Sequence, residues 1–339
     1  MTTSLDPSRP DPPTLRVRGP GDLVQLVPYL LGFHPSQSLV VVGLSAGRVT
    51  VTARLDLDDV IARPVLAETV AAMHRGGAVE LVGIVFDDRA AVPVKGELPW
   101  HGLADQLDAA ARAAGATVTD VLLVAGARHW SYTCTDPHCC PREGRPLAEA
   151  SSTVAAAATY AGLVALPDRA AVAALLDPLP DPDRERLLPA IEAAENAAVQ
   201  AVLAGQAARH ERAAKRGLFA AARAGDAAPP LGDDEIARFG VALSSPAVHD
   251  PVWLAVDHGR LDGRSLWRQL ARALPDPYAA APLFLFGWAS WRDGDGALAG
   301  IAADRTLASD PRFRPADMLT AALSCGMDPR QVPRLRRSA

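Results

Sequence analysis

A chain of 339 residues with 49% hydrophobic content has ample material for a core, and at about 150 residues per domain it predicts two domains. Its 34 basic and 39 acidic residues leave a net charge of -5, which argues against the clustered basic face that nucleic-acid binding needs. Aromatic residues make up only 5% and alanine supplies much of the apolar fraction, so the helices are expected to pack closely through small side chains.

Residues 1–14, MTTSLDPSRPDPPT, carry four prolines and no apolar core, and read as a disordered leader rather than a signal peptide. An α/β domain is expected over residues 15–148. An apolar-periodic helix runs into PYLLGFHPSQS, where Gly32 can take a left-handed stop, Phe33 can fold back as its hydrophobic contact and Pro35 blocks continuation. His34 precedes a strand, whereas sites in open α/β sheets form beyond the carboxyl ends of strands. SLVVVGLS (Ser38 to Ser45) and RVTVTARLDL (Arg48 to Leu57) flank Ala46-Gly47 as a hairpin. Pro64 opens a helix that ends on His74, Arg75 and Gly76. VELVGIVFDD (Val79 to Asp88) is a strand, a helix runs from about Pro99 to Ala114, and TVTDVLLVAGA (Thr117 to Ala127) is a further buried strand. This alternation predicts a mixed sheet, parallel in part, that carries a hairpin.

From Glu149 the β-branched runs give way to Ala- and Leu-rich segments punctuated by DPLPDPD, DAAPPLGDD and PDPYAAAP, so an all-helical domain is expected over residues 149–329, with a disordered tail at 330–339. Within it HERAAKR (His210 to Arg216) reads as a solvated helix face. Gly287, Ala299 and Pro311 fall twelve residues apart, the spacing of the small and terminating positions of a tetratricopeptide-like hairpin; no second clear copy lies upstream, and a lone helical hairpin that packs on its neighbours is the equal alternative. SLVVVGL and VLLVAGA, the strongest apolar runs, are far shorter than the roughly 18 residues of a membrane span.

No P-loop, dinucleotide fingerprint, zincin motif or nucleophile elbow is present, so those enzyme classes have no support. If the strands ending in IVFDD and LLVAG are parallel neighbours, their carboxyl ends would gather Asp87, Asp88, Arg128, His129 and Cys134 on one rim: two carboxylates, a guanidinium, an imidazole and a thiol. Against this, acidic residues after a strand also serve as caps and turn residues. The stretch HWSYTCTDPHCCPREG holds three of the four cysteines, and a turn at Asp136-Pro137 would bring Cys134 back toward Cys139 and Cys140. One reading is a reduced structural loop fixed by Trp130, Tyr132 and Pro141. Another is a zinc site with Cys134, His138, Cys139 and Cys140 as ligands, although the spacing lacks paired C-x-x-C units and vicinal side chains tend to point apart. A reactive thiol beside Arg128 or Arg142 is a third reading.

The blocks LVPYLLGFHPSQSLVVVGL, VTARLDL, WSYTCTDPHCCPREGRPL and GWASWRDGDGALAGIAADRTLASDP together resemble an actinobacterial family described only as a domain of unknown function (DUF4192), over about Leu15 to Pro329. The resemblance implies a cytoplasmic protein and transfers no activity, cofactor or site residue. The functional expectation is a protein-interaction or regulatory module with a protein partner and neither nucleic acid nor membrane as ligand. The alternative is a metal- or thiol-dependent enzyme at the carboxyl rim of the sheet.

Overall fold

The computed structural model describes residues 17–62, 64–92, 97–147, 153–225 and 229–336. The chain divides into two compact units, Met1–Arg169 and Ala170–Ala339. The expected leader at residues 1–14 lies outside the described residues, as does the point near Glu149 where the composition changes.

In the first unit a helix α1 (Pro20–Leu31) precedes the β1 (Ser38–Ser45) and β2 (Arg48–Asp56) hairpin. Ala46 and Gly47 both take positive φ, 49° and 71°, the turn geometry that matches the twist of the paired strands. Helices α2 (Leu57–Ala62) and α3 (Val65–Arg75) lead to β3 (Glu80–Phe86), and α4 (His101–Ala114) crosses to β4 (Thr117–Ala125). Then follow β5 (Arg128–Ser131), β6 (Arg145–Pro146) and α5 (Thr153–Tyr160). The six strands are ordered β2-β1-β3-β4-β5-β6. β3 and β4 pair in parallel and the other neighbours antiparallel, so the sheet is mixed, as the alternation of patterns predicts.

One face of the sheet, through Leu39, Val41, Leu81, Val85 and Leu123, packs on α3 and α4 in a continuous core. Gly83 makes this approach possible: a Cβ there would meet a Leu107 methyl at 2.4 Å. On the opposite face Val40, Val42, Ile84 and Leu122 are equally buried, and Gly21 of α1 lies against the His129 ring. Past the strands, α5 returns to α1, with Leu26, Val154 and Ala158 forming a small cluster.

The second unit is helical: α6 (Arg169–Ala174), α7 (Asp181–Glu185), α8 (Leu188–Leu203), α9 (Ala207–Ala224), α10 (Asp233–Leu243), α11 (Pro246–Asp257), α12 (Arg264–Ala273), α13 (Ala280–Arg292), α14 (Gly296–Ser309) and α15 (Arg314–Ser324). After Pro146 the only extended pairing among the described residues is a single bridge between Leu166 and Phe33. No described helix is long and apolar enough to cross a membrane.

α13 is the axis of this unit, buried from Ala280 through Trp291. α14 folds back along it, and a Cβ on Gly287 would sit 2.9 Å from that of Ala302, so the small residues set the helix separation. His249, Trp253, Phe284, Trp288 and Phe313 form a ring cluster at centroid spacings of 5.0 to 6.0 Å, gathering much of a sparse aromatic complement in one place. The residues read as a disordered tail do not all behave as one. Residues 330–336 are described and tied down, Leu335 N–H donating to Asp257 Oδ2 at 2.7 Å, while 337–339 lie outside the described residues.

Candidate functional site

The expected rim does form in part. Asp87 and Asp88 follow β3 at its carboxyl end, beside the parallel β4. Asp87 is buried and taken up by its neighbours: Gln37 Nε2 donates to Oδ1 at 2.7 Å, the Arg89 N–H to the same oxygen at 3.0 Å, and Trp100 Nε1 to Oδ2 at 3.0 Å. Gln37 and Trp100 are both non-glycine residues in the left-handed region, at φ 46° and 66°. One carboxylate therefore holds two conformations that each cost about 1–2 kcal/mol. Asp88 Oδ1 accepts the Gly126 N–H at 3.0 Å and fixes the next turn. Both carboxylates act as clasps between loops.

Burial alone would push the Asp87 carboxyl up, but the donors Gln37, Trp100 and Arg89 N–H, with the Arg89 cation, leave it below its ordinary value of 3.8. The folded state thus favours the ionised form, and the stabilisation is full above about pH 5 and lost as the pH falls below about 4. Asp87→Asn is expected to lose about 2 kcal/mol at pH 7, because one oxygen becomes a donor facing donors, and to flatten the acid limb of stability. Urea unfolding at pH 7 and pH 3 checks this; a variant with the parent's acid dependence contradicts the assignment.

Arg128 and His129 also lie at this end of the sheet, paired with the last residues of β4, because Gly126 and Ala127 reverse the chain, but their side chains are taken up elsewhere and Cys134 is carried away as β5 runs back along β4. Arg128, opposite Ala125, spends its guanidinium on the Gly144 and Glu143 carbonyls at 2.7 and 3.2 Å. His129, opposite Val124, is buried against α1, its Nδ1 has no partner among the described residues, and burial, with Arg145 nearby, pulls its pKa down. Cys134 has travelled toward the amino end of β4, where Tyr132 N–H meets the Val121 carbonyl and Thr133 Oγ1 donates to Asp120. Cys134 is thus displaced along β4 from the Asp87 end of the sheet. The sequence pattern reads as one long buried strand ending in a loop, without β5; the Gly126-Ala127 turn pair followed by RHWS is the signal for it.

The cysteine loop is where thiols do converge. The sulfur atoms of Cys134, Cys139 and Cys140 all lie within 4.8 Å of one another, and neither His138 nor His129 joins the group. The Asp136 carbonyl accepts the N–H groups of Cys139 and Cys140 at 3.1 and 2.6 Å, and this turn overcomes the divergence expected of vicinal side chains. A hydrogen bond from Cys140 and the Asp136 N–H hold the Cys134 thiol below its ordinary range, whereas burial and the neighbouring sulfurs push Cys140 up to about 12. The loop's ends are anchored on β5. Trp130 Nε1 donates to the Arg142 carbonyl at 2.9 Å, its ring covers Gly144, and the Tyr132 hydroxyl donates to the Pro99 carbonyl.

Sequence reading did not single out an apolar groove in the helical unit. α8, α9, α10 and α11 enclose a groove of about 360 Å³ lined by Val199, Val202, Leu203, Val241 and Val248. Val202 and Leu203 remain 63% and 74% exposed. The signal was AVQAVL at the end of α8, apolar at i, i+3 and i+4. A second cleft of about 460 Å³ lies between α10 and α12, but Arg186 and Arg272 in it are committed to Asp233 and the Asp177 carbonyl.

No curated protein and no solved structure matches this sequence. The family model described as a domain of unknown function, DUF4192, matches residues 20–330, nearly the whole length, and the chain belongs to that family.

Proposed function

We propose that the protein is an interaction module whose helical unit captures an acidic amphipathic helix of a protein partner in the α8–α11 groove. The observation that carries this reading is the groove itself, an apolar trough with Val199, Val202 and Leu203 left more than half exposed along one helix edge. Contiguous apolar surface of this kind is costly to leave in water and is characteristic of helix-in-groove recognition. The charge proposed for the partner rests on the flank of the groove rather than its lining: α9 carries Arg209, Arg212, Lys215, Arg216 and Arg223 outside the groove against the single acid Glu211, which lines it. Glu211 already accepts from Ser245 Oγ, and Arg209, Arg212, Lys215 and Arg216 make no ion pair among the described residues. A field of that sign steers and orients an acidic ligand. The Gly287, Ala299 and Pro311 spacing supports the same class, since tetratricopeptide-like hairpins commonly present binding surfaces. A cytoplasmic setting fits four unpaired cysteines.

The test uses the full chain and two labelled helical peptides with identical leucines at i, i+3, i+4 and i+7, one with glutamate and one with lysine elsewhere. Fluorescence anisotropy is expected to show binding of the glutamate peptide, at least ~10-fold weaker binding of the lysine peptide, and a similar loss for Val202→Glu. No binding of the glutamate peptide, or equal binding of both peptides by parent and variant, overturns the reading.

A further inference from the structure

We propose that Cys134, Cys139 and Cys140 form a zinc site in which three thiolates hold one Zn²⁺ and the fourth position is open to an exchangeable ligand such as water. The geometry carries the inference. Zinc bound to thiolates at about 2.3 Å in a tetrahedron sets sulfurs about 3.8 Å apart, so three sulfurs already within 4.8 Å need only a small inward closure.

Apolar packing does not explain the convergence. An unmodified cysteine is ordinarily among the most buried residues, yet Cys139 is exposed, and Cys134 and Cys140 are half-buried. None of the three belongs to the core of the sheet, although Trp130 and Tyr132 from the same segment do pack on it. The backbone around them is arranged for sulfur. Asp136 presents its carbonyl to the N–H groups of Cys139 and Cys140 and its own N–H to the Cys134 sulfur, while its side chain takes the His138 N–H at 2.8 Å. Hydrogen bonds from backbone N–H to a ligating sulfur are the usual outer support of thiolate metal sites.

The anchors lie on either side of this cluster. Before it, Ser131 Oγ accepts the Cys134 N–H at 3.0 Å and donates to Asp120; after it, Trp130 and Arg128 bind the carbonyls of Arg142, Glu143 and Gly144. Between these anchors the sulfurs are what the loop has to close on. Binding forms three Zn–S bonds and releases the three thiol protons to solvent. The resulting unit carries a net charge of -1, too electron-rich to acidify a bound water strongly, so the metal's role is to hold the loop and present its outer surface.

The experiment takes the full chain, purified without a polyhistidine tag or chelator and kept reduced. Elemental analysis is expected to find about one zinc per chain in the parent and in the Cys325→Ser control, with at least ~100-fold weaker binding in Cys134→Ser and Cys139→Ser. Cobalt added to the metal-stripped parent is expected to give a thiolate-to-metal charge-transfer band that Cys134→Ser lacks, and zinc is expected to slow amide exchange between Cys134 and Arg142. If the serine variants fail to fold, competition between the parent and a chromogenic chelator decides the matter alone. No retained zinc and no cobalt band from a folded, reduced parent overturns the proposal. So does a Cys134–Cys140 disulfide in freshly isolated protein that takes up no metal once reduced.

Discussion

Replacing Arg292 with methionine is expected to lower the unfolding free energy by about 3–5 kcal/mol, because it strands a buried carboxylate without its cation. Asp257 is fully buried at the end of α11, and the Arg292 side chain is only 5% exposed, its Nη2 lying 2.6 Å from Asp257 Oδ1. Trp288 Nε1 donates to the same oxygen at 2.9 Å, and the guanidinium carbon lies 4.9 and 5.5 Å from the Trp291 and Trp288 ring centroids. Arg292 also reaches the carbonyls of Pro329, Val332 and Pro333, so one side chain joins α11, α13 and the residues after α15. Truncation should release that segment as well as destabilise the helices. Urea unfolding followed by tryptophan emission measures the loss, and limited proteolysis reports cleavage between residues 325 and 336. The double variant Asp257→Leu, Arg292→Met should recover most of the loss, since an apolar pair removes the uncompensated charge. A single-variant loss below about 1 kcal/mol would mean that the pair is solvated and the interior picture is wrong.

Gly144→Val is expected to displace the Trp130 ring and cost about 2–4 kcal/mol, the sum of left-handed strain and overpacking. Gly144 has φ 76°, and any Cβ there would fall 2.4 to 2.8 Å from atoms of the indole. A ring held between the sheet and its own hydrogen bond to Arg142 cannot yield as a flexible side-chain tip would. The chain must therefore lift away, taking with it the Arg128 contacts to Glu143 and Gly144. A red shift of Trp130 emission, read in a background where the other tryptophans are phenylalanine, with lowered thermal stability, is the expected outcome. Unchanged emission and melting would show that the loop is not seated on Trp130.

Both predictions rest on contacts that no local pattern announces. The β1–β2 hairpin, the stop of α3 at Gly76 and that of α4 at Gly115 were legible because hydrophobic period, turn residues and caps act over a few positions. The change to Ala-rich helical periodicity was legible for the same reason. The cysteine spacing marked the one place where metal chemistry could sit, but the spacing alone argued against it.

Amino-acid order by itself determined the types of the longer elements, the mixed sheet followed by helices, and the concentration of thiols in one loop, because these follow from near-neighbour sterics and burial of one face; the short β5 and β6 did not show in it. Tertiary structure alone decided which groups meet. Gln37 and Trp100 find Asp87 from 50 and 13 residues away, and Arg292 finds Asp257 across 35. The reversal at Gly126 sends Cys134 away from Asp87, while the turn at Asp136 closes three sulfurs into one cluster. Hydrogen bonds and ion pairs act over a few ångströms in space and carry no signature in chain separation, so their partners are set by how the packed helices and strands deliver each side chain.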